Sequence, residues 1–137
     1  MRKSSVFVCL CGVFVLIFAA ARKRDVRLQA LPALKGGRAS VRVELTYDRN
    51  NTMDIRLRGV KAPESYGAQY TRYVAWAQAP GGAPVNVGQI RVEQGQGSLR
   101  TLTPLRRFQL LITVEEKGDA PQPGSLVVFR TAKEIEW

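Results

Sequence analysis

From Asp25 onward, apolar and polar residues alternate with a period of two. Val41, Val43, Leu45 and Tyr47 are separated by Arg42, Glu44 and Thr46. That is the pattern of a half-buried strand, because successive side chains leave opposite faces. DRNNT (48–52) supplies turn residues, and Met53, Ile55 and Leu57 then alternate with Asp54, Arg56 and Arg58. The two runs predict an antiparallel pair. Further strands are expected at about 70–78, 85–92, 98–103, 107–115 and 125–131, with a possible short strand at 26–31. In the 107–115 strand Phe108, Leu110, Ile112 and Val114 share one face, while Gln109, Leu111 and Thr113 make the other only partly polar. No window beyond residue 21 carries a 3.6-residue apolar period. Seven or eight short strands at roughly ten-residue spacing predict an antiparallel β-sandwich of immunoglobulin-like type, over residues 38–137.

YVAWAQAPGGAPVNVGQI (73–90) is the most legible hairpin. Val74 and Trp76 fall on one face, Tyr73, Ala75 and Ala77 on the other. APGGAP cannot continue a strand, since its prolines fix φ and its glycines open turn geometries. On the return strand Val85 and Val87 share one phase, Ile90 and Val92 the other. A bulge at Gly88 accounts for the change of parity. Trp76 is expected as a plug between two sheets.

The N-terminus departs from this alternation. Arg2 and Lys3 precede eighteen uncharged residues, Ser4–Ala21, ending in Ala19–Ala20–Ala21. A charged start, an apolar run and small residues at its end describe a signal peptide, and the length also suffices for a membrane anchor. Residues 1–21 are therefore read as signal peptide or anchor, with membrane contact through 4–21. Residues 22–37 are read as a basic juxtamembrane linker with a possible short strand. The domain is expected in an extracytoplasmic position, in the periplasm or at the cell surface.

Removing Arg2 and Lys3 leaves 19 basic against 11 acidic residues, a net charge of +8. Such an excess attracts polyanions. Arg22–Lys23–Arg24 is the one basic run, and it is the expected contact with an anionic surface. Most other arginines stand singly in strand patterns without interleaved aromatics, so nucleic acid is not expected. The expected partner is an envelope protein or an anionic lipid or polymer.

The chain has no histidine, and both cysteines, Cys9 and Cys11, lie in the apolar segment. Ser–His and Cys–His nucleophiles and ordinary zinc sites are thereby excluded from the domain. No cofactor, metal or catalytic residue is assigned. An envelope enzyme using carboxylates or lysine is the alternative to a non-enzymatic binding, sensory or structural role. Glu115–Glu116 are adjacent strand residues facing opposite ways, and are expected to begin a solvated turn. Asp48, Asn50 and Asn51 suit turn chemistry better than calcium. Gly95–Gln96–Gly97 opens no helix and carries no nucleotide reading.

Tyr73–x–x–Trp76, the Gly81–Gly82 turn and Val87–Gly88–Gln89–Ile90 resemble the pattern of the extracytoplasmic C-terminal domain of anti-sigma-K-type factors. Thr113–Val114–Glu115, Pro121 and Pro123–Gly124 are similar to that family's later motif, so the likeness spans residues 70–129. The resemblance implies a sensor-type or structural envelope domain. Only three residues precede the apolar stretch and no Cys/His cluster is present, so sigma binding is not carried over. Export makes a direct prediction. A C-terminal alkaline phosphatase fusion should be active in a bacterial host, whereas activity confined to cytoplasmic reporters would reverse the topology.

Overall fold

The strands follow the alternation from the first described turn onward. The computed structural model describes residues 22–46 and 48–137; the segment 1–21 and Tyr47 lie outside the described residues. The elements in chain order are β1 (Lys23–Ala30), β2 (Arg38–Leu45), β3 (Asn51–Arg58), a single 3-10 turn (Pro63–Tyr66), β4 (Arg72–Gln78) and β5 (Val85–Glu93). Next come β6 (Gln96–Thr103), β7 (Arg107–Glu115), β8 (Val127–Thr131) and the short β9 (Ile135–Glu136). Among the described residues no helix is long and apolar enough to cross a membrane.

All pairings are antiparallel, as expected, but the two-sheet sandwich is replaced by a closed barrel. Around the ring the order is β1–β2–β3–β6–β5–β4–β7–β8, and β8 returns to β1. Two strands make closure possible by changing partners along their length. β1 pairs with β2 through Lys23–Arg27 and with β8 through Leu28–Ala30. β5 pairs with β4 through Val85–Ile90 and with β6 through Arg91–Glu93. Each strand therefore serves as a corner, and the open edges of a sandwich become a continuous ladder. The 22–37 stretch, expected as a linker with a possible short strand, holds the eight-residue β1, one wall of the ring. β9 extends β7 beyond the ring, pairing Arg107 with Glu136 and Phe108 with Ile135.

The corners have local causes. Gly88 sits at φ +141°, and the register slips between Ala75 and Trp76, leaving Val87 as the extra residue. The bulge inferred from parity is present. A Cβ at Gly88 would come within 2.9 Å of Leu99 Cδ2, inside the barrel. The carbonyl of Val87, displaced from the ladder, accepts a hydrogen bond of 2.6 Å from the Thr101 hydroxyl. At Gly97, opposite the corner of β5, an added Cβ would lie 2.5 Å from the Arg91 carbonyl oxygen. Glycine there lets β5 fold over onto β6.

The interior is apolar. Val41, Val43, Met53, Ile55, Leu57, Tyr73, Ile90, Phe108, Leu110, Ile112, Val128 and Phe129 are buried in one cluster. An eight-stranded barrel is just wide enough for side chains to fill it. Apolar inside and arginine-rich outside is the inverse of a lipid-facing barrel wall. A second bulge between β7 and β8 sends both Val128 and Phe129 inward. Tyr73 donates its hydroxyl to the Lys61 carbonyl at 2.6 Å, and burial pushes its pKa well above the ordinary tyrosine value.

Trp76 is fully buried, yet it points away from that interior. With Val74 and Leu111 it forms a separate apolar cluster on the outer wall, joined by Ala120 and Val127. The 116–126 segment crosses this wall as a strap. Trp76 Nε1 donates to the Thr113 hydroxyl (2.8 Å), which donates to Glu115 Oε1 (2.7 Å). The same carboxylate oxygen accepts from the Gly124 backbone N–H (2.7 Å). Asn86 Nδ2 donates to the carbonyls of Gly118 and Ala120 at 2.9 and 3.1 Å. Glu115 is buried beneath the strap, at 8 % exposure, and not in the solvated turn expected for it. Glu116 is exposed.

Replacing Trp76 by Ala should cost about 3–5 kcal/mol, the usual range for such truncations. Because the loss falls outside the barrel, proteolysis should cut first within 116–126. In a Trp137→Phe background, Trp76 emission should be blue-shifted and resist acrylamide until unfolding. Freely quenched emission would overturn the strap assignment.

Candidate functional site

The ladder that closes the barrel also aligns the arginines on its outer wall. Outward positions alternate with the buried residues of β2 and β3, and antiparallel register sets them in cross-strand rows. In one row Arg27 lies opposite Ser40, Ser40 opposite Arg56, Arg56 opposite Ser98, and Ser98 opposite Arg91. In the next, Arg38 lies opposite Arg58, Arg58 opposite Gln96, and Gln96 opposite Glu93. Five arginines thus share one exposed face spanning β1, β2, β3, β6 and β5.

Two shallow clefts flank the Arg56 and Arg58 pair. One is floored at Ser40 and walled by Arg27, Arg38, Arg56 and Arg58. The other is floored at Gly97 and Ser98 and walled by Arg56, Arg58 and Arg91, with Glu93 at its rim. Glu93 is the one acidic side chain lining either cleft.

The neighbouring rows differ. Asp25, Arg42, Asp54 and Arg100 follow one another across the sheet with alternating sign. Arg42 donates to both Asp25 carboxylate oxygens, at 2.7 and 3.2 Å. Arg100 stands 3.8 Å from Asp54, and Lys23 stands 3.8 Å from Glu44. Farther round, Arg107 is held by Glu134. Among the described residues, no ion pair engages Arg27, Arg38, Arg56, Arg58 or Arg91. Like charges directly opposite, as at Arg38 and Arg58, repel. An anion seated between them would relieve that repulsion.

Arg22–Lys23–Arg24 does not form a patch. Lys23 faces Glu44, while Arg24 turns to the other side of β1, where its guanidinium lies 5.3 Å from the Trp137 ring centroid and donates to the Glu136 carbonyl at 3.0 Å. Arg22 is exposed at the start of the barrel and accepts a backbone bond from Leu45. The run is divided because β1 is a strand, whose successive residues leave opposite faces.

The remaining candidates resolve into local structure. Asp48 accepts from the Thr46 hydroxyl and from the backbone and side-chain nitrogens of Asn50, and these bonds hold its pKa below the usual carboxylate value. Gln94 and Gly95, both at positive φ, make the tight turn between β5 and β6. Among the described residues no group of acidic side chains is placed to hold a metal ion. The arginine face was not visible as a unit in the chain, because its five arginines come from four strands. The signal that existed was the two-residue spacing of Arg56 and Arg58, which puts them side by side on one face. Comparison with protein-family models, with curated proteins and with solved structures returns no match.

The hydrogen bond from Arg42, together with its charge, holds the Asp25 carboxyl below its ordinary value. A depressed folded pKa contributes stability above the unfolded value, about 3.9, that is lost as pH falls through the folded one. In a carboxyl-resolved NMR titration Asp25 should titrate below that value. Arg42→Ala should return it towards the ordinary range; an unchanged midpoint would remove the pairing.

Proposed function

We propose that this chain is an exported, non-enzymatic binding domain of the bacterial cell envelope, engaging an anionic partner through the arginine face of its barrel. The carrying observation is the set of five exposed arginines in register, without an ion pair among the described residues, beside rows in which Arg42, Arg100 and Lys23 each meet a carboxylate. The apolar stretch Ser4–Ala21 supports export, as does the resemblance of residues 70–129 to an extracytoplasmic domain. A filled interior leaves the outer wall as the surface for recognition. The carboxylates Glu115, Asp25 and Asp54 are held by hydrogen bonds or arginines, which favours binding over catalysis. Residues carrying the family resemblance, among them Trp76, Thr113, Glu115 and Gly124, build the strap and its clasp and lie outside the arginine face.

Retention of the full chain on an immobilised anionic polymer should fall steeply with salt, since the Debye length shortens to about 8 Å at physiological ionic strength. Arg56→Ser with Arg58→Ser should weaken binding by roughly ten-fold per arginine, the size of a charged hydrogen bond. Neutralising Arg22, Lys23 and Arg24 should change it far less. Equal losses in the two variants would return the contact to the N-terminal run.

A further inference from the structure

Ser40 and Ser98 occupy equivalent places in the central row, each with an arginine on either side. Ser40 lies between Arg27 and Arg56, and Ser98 between Arg56 and Arg91. Both serines are exposed, and the short side chain makes a saddle between longer guanidinium arms. Arg56 is common to the two saddles and lines both clefts. With strands spaced about 4.7–4.9 Å apart, the two serines lie two strands apart, roughly 10 Å. The row is therefore a repeat: arginine, serine, arginine, serine, arginine.

We infer that the two saddles are tandem oxyanion subsites that seat successive phosphate groups of one linear polymer running across the strands. The inference rests on the binding role proposed for this face and names its ligand class. Three features favour phosphate on a chain. Each serine has an arginine at the cross-strand position on either side, so guanidinium donors and a hydroxyl can reach one anion from several directions. That arrangement suits a tetrahedral anion better than a planar carboxylate. The shared Arg56 requires the second group to lie a fixed distance from the first, which a linked chain supplies and independent ions do not. No large apolar side chain stands among the arginines: of the exposed large hydrophobic residues, Leu102 is on β6 in the row of Lys23 and Glu44, and Val85 is at the start of β5. A surface that docks by insertion into a bilayer carries such side chains beside its charges. Nor does an aromatic side chain line either cleft, so a stacked nucleobase has no platform there.

The test measures binding of the full chain, in neutral detergent, to orthophosphate, to inorganic polyphosphate of graded length, to polygalacturonate and to phosphatidylglycerol vesicles. Affinity should rise by about 100-fold or more once the polyphosphate is long enough to reach both saddles, as expected when a second site is engaged intramolecularly. Arg56→Ala should abolish that rise while leaving the melting temperature unchanged. Arg56→Lys, which keeps the charge and loses the fork, should remove most of it. Arg27→Ala and Arg91→Ala should each abolish the length threshold and remove one of the two orthophosphate sites. Length-independent binding, or a threshold that survives Arg56→Ala, would overturn the tandem arrangement. Equal or tighter binding of polygalacturonate would overturn phosphate, and binding to vesicles alone would assign the face to a membrane. Absence of binding to every polyanion at low salt would instead reject the binding role itself.

Discussion

Closure of the strand ring is the constraint from which the rest of the molecule follows. Every strand in the barrel carries a row of backbone N–H and C=O groups on each side, and an unpaired row is both costly when buried and prone to pair with another chain. β1 and β5 solve this by bending across the molecule and dividing their hydrogen bonds between two neighbours. The bends need local relief. Gly88 supplies a backbone conformation that side chains disfavour, and Gly97 supplies the room for β5 to lie close to β6. With the ring shut, a single apolar interior replaces the two facing sheets of a sandwich.

A closed ring also has an outside on every strand, and two stretches of that outside are treated differently. Over β4 and β7 the outward residues include Val74, Trp76 and Leu111, which would leave a large apolar patch in water. The strap removes it. Its hydrogen bonds run through Thr113 and Glu115 to the Gly124 backbone, so the indole N–H and the carboxylate are both satisfied while buried. Over β1, β2, β3, β6 and β5 the outward residues are mostly charged or polar. There the register decides whether a charge meets its opposite, as with Arg42 and Asp25, or meets a serine, as with Arg56.

The arginine face therefore depends on pairing as much as on composition. A one-residue slip between β2 and β3 would turn the outward set inward and break the rows. The same apolar alternation that fills the barrel, at Val41, Val43, Ile55 and Leu57, holds the register that sets Arg38 against Arg58 and Ser40 against Arg56. Packing on one side of the sheet thus fixes electrostatics on the other.

What the amino-acid sequence determined by itself was local. Period-two alternation is a property of neighbouring residues, so strands, the Pro/Gly hairpin at 79–84 and the bulge at Gly88 were legible from the chain. The absence of histidine bounded the chemistry for the same reason: it needs no geometry. Only tertiary structure decided which strands pair. The β3–β6, β4–β7 and β1–β8 contacts join segments far apart in the chain, and a sandwich and a barrel share the same alternation. It decided, too, that Trp76 is buried from outside, since alternation separates two faces without saying which one a strap will cover. And it gathered arginines that stand singly along the chain into one face, because cross-strand neighbours are set by register, a long-range quantity that no short stretch of sequence contains.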